Sequence, residues 1–327
     1  MPIVSNQFQP PWWAKNRHVQ TIWPRFLQKR SRLTTTTEIL TLPDGDSLDL
    51  AWSPKPEECK GLAVMFHGLE GSIHSHYAND MMAHLVANGW WAVLMHFRGC
   101  NGVPNSKLRS YHSGETEDAN YLFSYLKQQM LKVETVVALG FSLGGNMLLK
   151  LLGEQPQQDF IKAAAVVSPP MKLAECSNSI NRGFSKQYQR YLLKSMRGNV
   201  LKKAQNMPLL DTLSLQESEV KAISSFRQFD QLITAPLHGF KGAEDYYQQC
   251  SSAQYLKNIK TPTLIIHAKD DPFMSDKVVP DASELSDSVE LNVSEKGGHV
   301  GFMQGTPWRP RIWFHEQVTR YFSKITQ

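Results

Sequence analysis

Residues able to perform nucleophilic catalysis occur in a fixed order along the chain. The first, Ser142, lies in the pattern Gly-Phe-Ser-Leu-Gly-Gly, directly after an apolar run and directly before a helical one. On a sharp strand-to-helix turn of this kind, a serine hydroxyl stands clear of the sheet and can attack a substrate. The pattern GxSxG is weak by itself, but its position between a strand and a helix is what a nucleophile elbow requires. Ser142 is therefore the candidate nucleophile.

A serine nucleophile needs a base, and the base needs a group that orients it. Downstream of a nucleophile elbow the acid comes first and the histidine second. Here the run TPTLIIHA leads into Asp270 and Asp271, and His299 follows a Gly-Gly loop after the last apolar run. His299 is predicted to be the base. Counting from Ala268 favours Asp271 as the orienting acid, and Asp270 is the alternative.

Acyl transfer also needs two backbone N–H groups that stabilise the oxyanion. One is expected from Leu143, the residue after the nucleophile. The other is expected from the loop after the run GLAVMF, which reads His-Gly-Leu-Glu-Gly at residues 67–71. This HG-type loop nominates the amide of Leu69 as the second donor.

Other polar clusters have weaker claims to function. His67, His74 and His76 crowd one loop beside Glu70, but their spacing matches no strong metal-binding pattern, so no metal site is predicted. The chain has neither GxGxxG after the first parallel strand nor GxxxxGK[ST], so no cofactor is predicted. Arg98 could contact an anionic substrate group, although a structural ion pair is the favoured interpretation.

The elements that must position these residues form an alternating α/β pattern. Glu38–Leu42 and Ser47–Ser53 flank the turn Asp-Gly-Asp and predict a β-hairpin. Beyond them, short apolar runs alternate with helical periods, which is typical of a mostly parallel sheet covered on both sides. The apolar runs are Leu62–Phe66, Trp91–Met95, Thr135–Leu139, Ala163–Val167, Thr263–Ile266 and Val289–Val293, and the helical segments lie near Tyr77–Ala87, Glu115–Met130 and Gly145–Leu152.

The alternation is interrupted once. It stops at Ser168-Pro169-Pro170 and resumes near Thr261. The segment between these points contains no strand-like run. An insertion between two strands of a parallel sheet lies at the edge where ligands bind. The sequence therefore predicts a core of residues 1–170 and 261–327, with an N-terminal arm at 1–36, and a helical cap at 171–260.

The first part of this insertion is strongly basic. Residues 171–203 hold eight Lys or Arg against the single acid Glu175, a local charge of +7, whereas the whole chain carries 35 − 30 = +5. An apolar stripe at helical spacing runs through Phe184, Tyr188, Tyr191, Leu192 and Met196. A basic amphipathic helix can lie on a membrane surface, so weak membrane contact through the cap is one hypothesis. The favoured alternative is that the stripe packs on the core and the charges face water.

Composition excludes several classes of protein. The chain has 327 residues, 41% of them hydrophobic and 20% charged, as in a globular enzyme rather than a disordered chain. A net charge of +5 is too small for a general nucleic-acid binder. No apolar stretch approaches the ~18 residues of a spanning helix, and no secretory signal is visible. The four cysteines form no CxxC pair, which fits a reducing, cytoplasmic location.

Six motifs together carry a family resemblance. They read HGLEG, HFRGCNG, YHSGETEDA, GFSLGGN, HAKDDPFM and GGHVGF, and with NRHVQT the likeness runs from about Asn16 to His315. In combination they resemble the YheT-like bacterial branch of the α/β-hydrolase superfamily. The resemblance implies an α/β-hydrolase fold with an eight-stranded, mostly parallel sheet, a Ser-Asp-His triad, and hydrolysis of carboxylic esters.

The leading functional hypothesis is a serine esterase that acts on a small-molecule ester through an acyl-enzyme. Two alternatives stay open. An acyltransferase would pass the acyl group to an alcohol instead of water. A non-catalytic binding protein on a hydrolase scaffold would be expected to lack a triad residue, and Ser142, Asp271 and His299 are all present.

Overall fold

The protein is built on one large, twisted, mostly parallel sheet. The computed structural model describes residues 3–5, 8–26, 33–129 and 133–326. Its strands are β1 (Ile3–Ser5), β2 (Thr36–Thr41), β3 (Ser47–Trp52), β4 (Gly61–Phe66), β5 (Trp90–Met95), β6 (Val136–Phe141), β7 (Ile161–Val167), β8 (Thr263–Ala268), β9 (Val289–Ser294), β10 (Met303–Thr306) and β11 (Arg309–Ile312). The order in the main sheet is β1-β9-β8-β7-β6-β4-β5-β3-β2, and only the pairs β5·β3 and β3·β2 are antiparallel.

Helices cover both faces of the sheet and fill the insertion. They are α1 (Arg17–Phe26), α2 (His76–Ala87), α3 (Glu117–Gln129), α4 (Leu143–Glu154), α5 (Leu173–Ile180), α6 (Ser185–Ala204), α7 (Leu209–Leu213), α8 (Glu217–Ala222), α9 (Phe226–Phe229), α10 (Ala235–Leu237), α11 (Ala243–Cys250) and α12 (Trp313–Thr326). A π-helical turn at Asp230–Thr234 joins α9 to α10, and short 3-10 turns occur at Trp12–Ala14, Ser252–Asn258, Asp276–Val278 and Ala282–Glu284.

The continuous apolar strands follow from burial on both faces. In β4, Val64 and Phe66 enter the core beneath α3 and α4, whereas Ala63 and Met65 enter the core beneath α2 and α12. Neither face of such a strand meets water, so the polar–apolar alternation of a half-exposed strand is lost. This explains why the sequence shows apolar runs of five or six residues at the central strands.

The α/β-hydrolase fold expected from the sequence is confirmed, with one addition to the sheet. β2–β9 supply the expected eight strands, and β1 extends the edge beyond β9 as a ninth strand among the described residues. The predicted strands and helices agree with the observed ones to within one to two residues at most ends. Met130, the predicted end of the third helical segment, lies outside the described residues. The hairpin β10·β11 and the last helix α12 were not predicted.

The segment between β7 and β8 departs from the alternating pattern. Within the described residues it contains the seven helices α5–α11 and no strand. In all the described ranges, this segment included, no helix is both long and apolar enough to cross a membrane. The insertion leaves the sheet at the carboxyl ends of its strands, where the candidate site residues also lie.

Candidate active site

Ser142 lies at the sharp turn between β6 and α4, at the centre of the sheet. Its backbone has φ 47° and ψ −118°, a strained conformation of the kind that costs about 1–3 kcal/mol. The turn requires a glycine two residues on, because a Cβ at Gly144 would lie only 2.5 Å from the carbonyl oxygen of His67. The hydroxyl-bearing side chain lines a cavity beneath the insertion. The local backbone therefore has the geometry of a nucleophile elbow.

His299 and Asp271 complete a hydrogen-bonded chain with Ser142. The Nε2 atom of His299 lies 3.0 Å from Ser142 Oγ, and Nδ1 lies 2.7 Å from Asp271 Oδ2. The Asp271 side chain is buried, and its Oδ1 accepts the backbone N–H of Phe273 at 2.8 Å. In this arrangement an imidazole can take the serine proton while the carboxylate fixes its tautomer.

Asp270 has a different set of contacts. Its Oδ1 accepts the backbone N–H of Gly298 at 3.0 Å, in the loop that carries His299. Burial raises the pKa of this carboxyl above its ordinary value. The structure thus brings Asp271 rather than Asp270 against the His299 ring, and Asp270 holds the backbone of the loop.

The His299 ring and backbone are fixed from several sides. The Phe273 ring stacks on the imidazole, with centroids 4.0 Å apart and planes within 7°. The His299 N–H donates to Thr21 Oγ1 at 3.0 Å, and the next N–H, of Val300, donates to Ser168 Oγ at 3.0 Å. An imidazole held this firmly would need little reorganisation before a proton transfer.

The amide of Leu143 is available to a ligand. The amides on either side of it are occupied, since Ser142 N donates to Val167 O at 2.9 Å and Gly144 N donates to His67 O at 3.1 Å. Leu143 is the first residue of α4, and the first N–H groups of a helix have no partner within the helix. Among the described residues no acceptor contacts its N–H.

The amide of Leu69 is available for a similar reason. Gly68 N donates to the Tyr77 hydroxyl at 2.8 Å, and Glu70 N donates to the Tyr111 hydroxyl at 2.9 Å. The N–H of Leu69, between them, meets no protein acceptor in the part of the chain that the structure describes. The two residues nominated from the sequence thus both have free amides, and both line the cavity that Ser142 lines.

The buried side chain of His67 shapes the loop that carries Leu69. His67 donates from Nδ1 to Gly68 O at 2.7 Å and accepts the Phe97 N–H at Nε2 at 3.1 Å. Burial lowers the pKa of His67 to about 3, so the ring is neutral. Gly68 lies close to the elbow, because a Cβ there would be 3.2 Å from Ser142 Cβ. Across the described residues no group of three His, Cys, Asp or Glu side chains could hold a metal ion.

Arg98 forms the structural ion pair that the sequence favoured. Its guanidinium donates to Asp44 at 2.7 Å, to Asp46 at 2.9 Å and to both carboxylate oxygens of Asp118 at 2.7 and 2.8 Å. The Arg98 side chain is almost completely buried. Its charge is therefore compensated by carboxylates of the protein, and its contacts brace the loop after β5.

Lys203, near the end of α6, fixes this helix to the same loop. Its buried ammonium group donates to Asn105 Oδ1, Leu108 O, Arg109 O and Ser110 Oγ at 2.8 to 3.0 Å. Burial lowers the pKa of Lys203 to about 8. Lys203 and Arg197 are two of the basic residues that made this segment unusual. Both have structural roles, since Arg197 donates to the carbonyls of Lys221 and Ile223.

The outer surface of α6 differs from the predicted stripe. The buried face of α6 is centred on Gln189, Leu193 and Met196. Phe184 and Tyr191, assigned to the apolar stripe from sequence, are 56% and 54% exposed instead. The predicted stripe was wrong at these two positions because the buried face contains Ser185 and Gln189, whose polar side chains hid its centre.

A cavity of about 200 Å³ lies between the sheet and the insertion. Ser142 and the Leu143 side chain lie on its core side. The aliphatic and phenylalanine side chains that the insertion contributes to its lining are Leu173, Ile180, Leu192, Met196, Val200, Leu209, Phe226, Phe229, Ile233 and Leu237. Such a chamber suits an apolar chain of a bound molecule.

The insertion also contributes a carboxyl group, that of Asp230, to the lining of the cavity. Asp230, in the π-helical turn, accepts the Tyr247 hydroxyl at Oδ2 at 2.7 Å and the Thr234 hydroxyl at Oδ1 at 2.8 Å. Burial raises the pKa of Asp230 to about 6. π-Helical turns frequently occur at functional sites, where they re-aim a side chain.

Sequence reasoning missed several residues that build this site. Tyr77 and Tyr111 bind the loop of Leu69, whereas Thr21 and Phe273 hold His299. Three of the four lie in motifs noted from the sequence: Tyr111 in YHSGETEDA, Thr21 in NRHVQT and Phe273 in HAKDDPFM. Tyr77 lies in none of them. The motifs identified these segments of the sequence. Which atoms their side chains contact depends on loops that meet only in the folded chain.

Comparison with known proteins agrees with the fold and the motifs. Residues 63–306 match the model of a family described by its alpha/beta hydrolase fold. The chain therefore belongs to the α/β-hydrolase family. Within that family it is 44% identical over 316 residues to YheT of Escherichia coli (strain K12), whose name proposes an esterase; the match covers 96% of this chain and 92% of that protein. The resemblance to the YheT-like branch is thus confirmed.

More distant relatives and solved structures share the architecture. A protein of Saccharomyces cerevisiae named monoacylglycerol lipase is 28% identical, over 81% of this chain and 59% of its own length. A mouse protein named phospholipase ABHD3 is 25% identical, over 98% of this chain and 79% of its own length. The esterase Pf2001 of Pyrococcus furiosus superposes with a TM-score of 0.57 at 16% identity, covering 98% of this chain and 100% of that one, and so shares the fold.

Proposed function

We propose that the protein is a serine esterase that cleaves carboxylic esters through an acyl-enzyme on Ser142, His299 and Asp271. The observation that carries the proposal is the hydrogen-bonded chain of these three side chains beside two free amides. Each component has a defined part in acyl transfer. Membership of the α/β-hydrolase family supports the same chemistry.

The mechanism proceeds in two halves. In the first, Ser142 Oγ attacks the ester carbonyl while His299 Nε2 takes its proton, and the amides of Leu69 and Leu143 stabilise the oxyanion. Collapse of the tetrahedral intermediate expels the alcohol, which receives the proton from His299. In the second half, His299 removes a proton from water, and the resulting attack releases the carboxylic acid and restores Ser142.

The cavity favours esters with an apolar acyl chain. Its lining from residues 171–260 is mostly aliphatic and aromatic, which would bury such a chain next to Ser142. The names of the yeast and mouse relatives, a monoacylglycerol lipase and a phospholipase, point to acyl esters as well. We therefore propose that residues 171–260 form a cap over the acyl-binding chamber, with the core formed by residues 1–170 and 261–327.

The exposed side of α6 supports a further proposal, weak contact of the cap with an anionic membrane surface. Phe184 and Tyr191 are exposed there, and the exposed cations Lys186, Arg190 and Lys194 lie on the same helix. Exposed aromatic and basic groups on one helix suit the boundary between lipid headgroups and water. The four unpaired cysteines support a cytoplasmic location.

A single set of assays tests the proposed reaction. Purified protein and Ser142→Ala are incubated with p-nitrophenyl esters of graded acyl length, and release of p-nitrophenol is followed. We expect turnover only with the unaltered protein, fastest with the chain length that fills the chamber. Product analysis with added alcohol separates hydrolysis from transfer: a free acid indicates an esterase and a new ester indicates an acyltransferase. Equal turnover by Ser142→Ala would contradict the proposal.

A further inference from the structure

Glu70 lies between a proposed oxyanion donor and the insertion. It directly follows Leu69, and its φ of 54° lies in the left-handed region, which favours glycine. A non-glycine residue keeps such a conformation only where its surroundings impose it. The contacts of Glu70 therefore determine the path of the chain at Leu69.

One set of contacts comes from the sheet domain. The Tyr111 hydroxyl accepts the Glu70 N–H at 2.9 Å and donates to Glu70 Oε1 at 2.8 Å. The Tyr111 ring stacks on Phe97, with centroids 5.3 Å apart and planes within 9°. Both the backbone and one carboxylate oxygen of Glu70 are thus held by a fixed ring.

The other set of contacts comes from α6. Ser195 Oγ and Asn199 Nδ2 donate to Glu70 Oε2 at 2.7 and 2.6 Å. Residues four apart lie on one face of a helix, so both donors reach the carboxylate together. The side chain of Leu69 also packs against the apolar cluster of the insertion that contains Leu193. The helix α6 therefore contacts Glu70 directly, and the cluster against which Leu69 packs includes Leu193 of the same helix.

We propose that Glu70 is a positioning residue that makes the oxyanion hole dependent on the docking of α6. The inference rests on the proposed function of Ser142. With α6 docked, four hydrogen bonds hold Glu70 in its strained conformation. They thereby fix the adjacent Leu69 amide, in the loop whose Gly68 lies close to Ser142. When α6 moves away, Oε2 loses both donors and the loop relaxes. The site then stabilises the oxyanion only while the chamber is closed.

Steady-state kinetics with a short, soluble p-nitrophenyl ester test this coupling. The variants are Glu70→Ala, Glu70→Gln and the double variant Ser195→Ala/Asn199→Ala, which alters only the exposed donors on α6. Gln187→Ala, an exposed change on the same helix, is the matched control. We expect kcat to fall about tenfold in Glu70→Ala and in the double variant, with KM within about twofold, because an oxyanion donor acts in the transition state. Glu70→Gln keeps one acceptor oxygen and should fall in between.

Two further readouts separate positioning from general damage. The inhibition constant of an alkyl trifluoromethyl ketone, which forms an oxyanion on serine, should rise by the same factor as kcat falls, whereas binding of the carboxylic acid product stays unchanged. The loss in the combined variant should be smaller than the product of the two separate losses, because Glu70→Ala removes the acceptor of both donors on α6.

The outcomes that overturn the inference are specific. They are unchanged kcat and inhibition in both Glu70→Ala and the double variant, a loss confined to KM, or additive losses in the combined variant. Thermal melting of the double variant is the check that its fold is retained. Failure of the proposed function would give a different result, namely full turnover by Ser142→Ala. The two failures can therefore be told apart.

Discussion

The backbone N–H of His299 donates to the hydroxyl of Thr21, nearly the whole length of the chain away in sequence, at 3.0 Å. The same hydroxyl donates to the carbonyl of Arg17 in α1 at 2.8 Å. The loop also passes close to this helix, because a Cβ at Gly298 would lie 2.7 Å from the Arg17 carbonyl oxygen. The N-terminal arm is therefore part of the support of the candidate base.

Thr21→Val should lower kcat for a soluble ester about fivefold, with little change in KM. The substitution removes the hydroxyl's bond to the Arg17 carbonyl and its bond to the His299 N–H. The second bond, worth about 1 kcal/mol, holds the proposed base rather than the substrate. Thr21→Ser keeps the hydroxyl and should retain the activity of the unaltered protein. A Thr21→Val protein with normal kcat would show that the arm does not contribute to positioning His299.

Asp271→Asn should lower kcat by about three to four orders of magnitude, because an amide favours the wrong imidazole tautomer. Asp270→Asn should cost less than about tenfold, since an amide oxygen can still accept the Gly298 N–H. Steady-state kinetics of both variants with one ester make the comparison. A severe loss in Asp270→Asn with a mild one in Asp271→Asn would reverse the assignment.

Asp230→Asn should become more stabilising, relative to the unaltered protein, as the pH rises. The folded pKa of Asp230 is raised from 3.8 to about 6 by burial, so the folded state binds the proton more tightly than the unfolded state. The contribution of this group to the free energy of unfolding is present below about pH 4 and is lost as the pH rises through about 6. Asparagine does not titrate, so its contribution to the free energy of unfolding does not change over this pH range.

Thermal melts at pH 5 and pH 7 measure this effect. The melting temperature of Asp230→Asn minus that of the unaltered protein should increase between the two pH values. Asp211→Asn, at an exposed carboxyl of the insertion, is the control and should show no such change. An Asp230→Asn difference that is the same at both pH values would contradict the raised pKa.

The exposed face of α6 should bind anionic vesicles at low salt. Each basic residue near such a surface contributes about 1 kcal/mol, and salt screens the attraction. Sedimentation with phosphatidylserine vesicles should therefore show binding that weakens at high salt and falls in Lys186→Gln/Arg190→Gln/Lys194→Gln. Without any binding at low salt, these side chains would simply be solvated charges on α6.

Much of the fold was predictable because its signals are local. Apolar runs identified the central strands, and GxSxG identified the elbow at Ser142, since burial on both faces and a tight turn each leave a mark on adjacent residues. The strand β1 pairs at the far edge with β9. That pairing depends on segments distant in sequence, which no local pattern records.

The candidate site was predictable to a similar depth. Ser142, Asp271 and His299 follow a known order along the chain. The roles of Glu70 and Thr21 were not visible, because each depends on a contact between loops or helices from different parts of the chain. The burial of Lys203 likewise follows from four acceptors on a loop that only the folded structure brings together.

Covalent labelling by a fluorophosphonate probe tests the central claim most directly. Its phosphorus reacts with an activated serine hydroxyl and displaces fluoride, so labelling reports the nucleophile without a known substrate. We predict that the unaltered protein is labelled, that the label maps to the peptide containing Ser142, and that Ser142→Ala is not labelled. Equal labelling of the unaltered protein and Ser142→Ala would contradict the account.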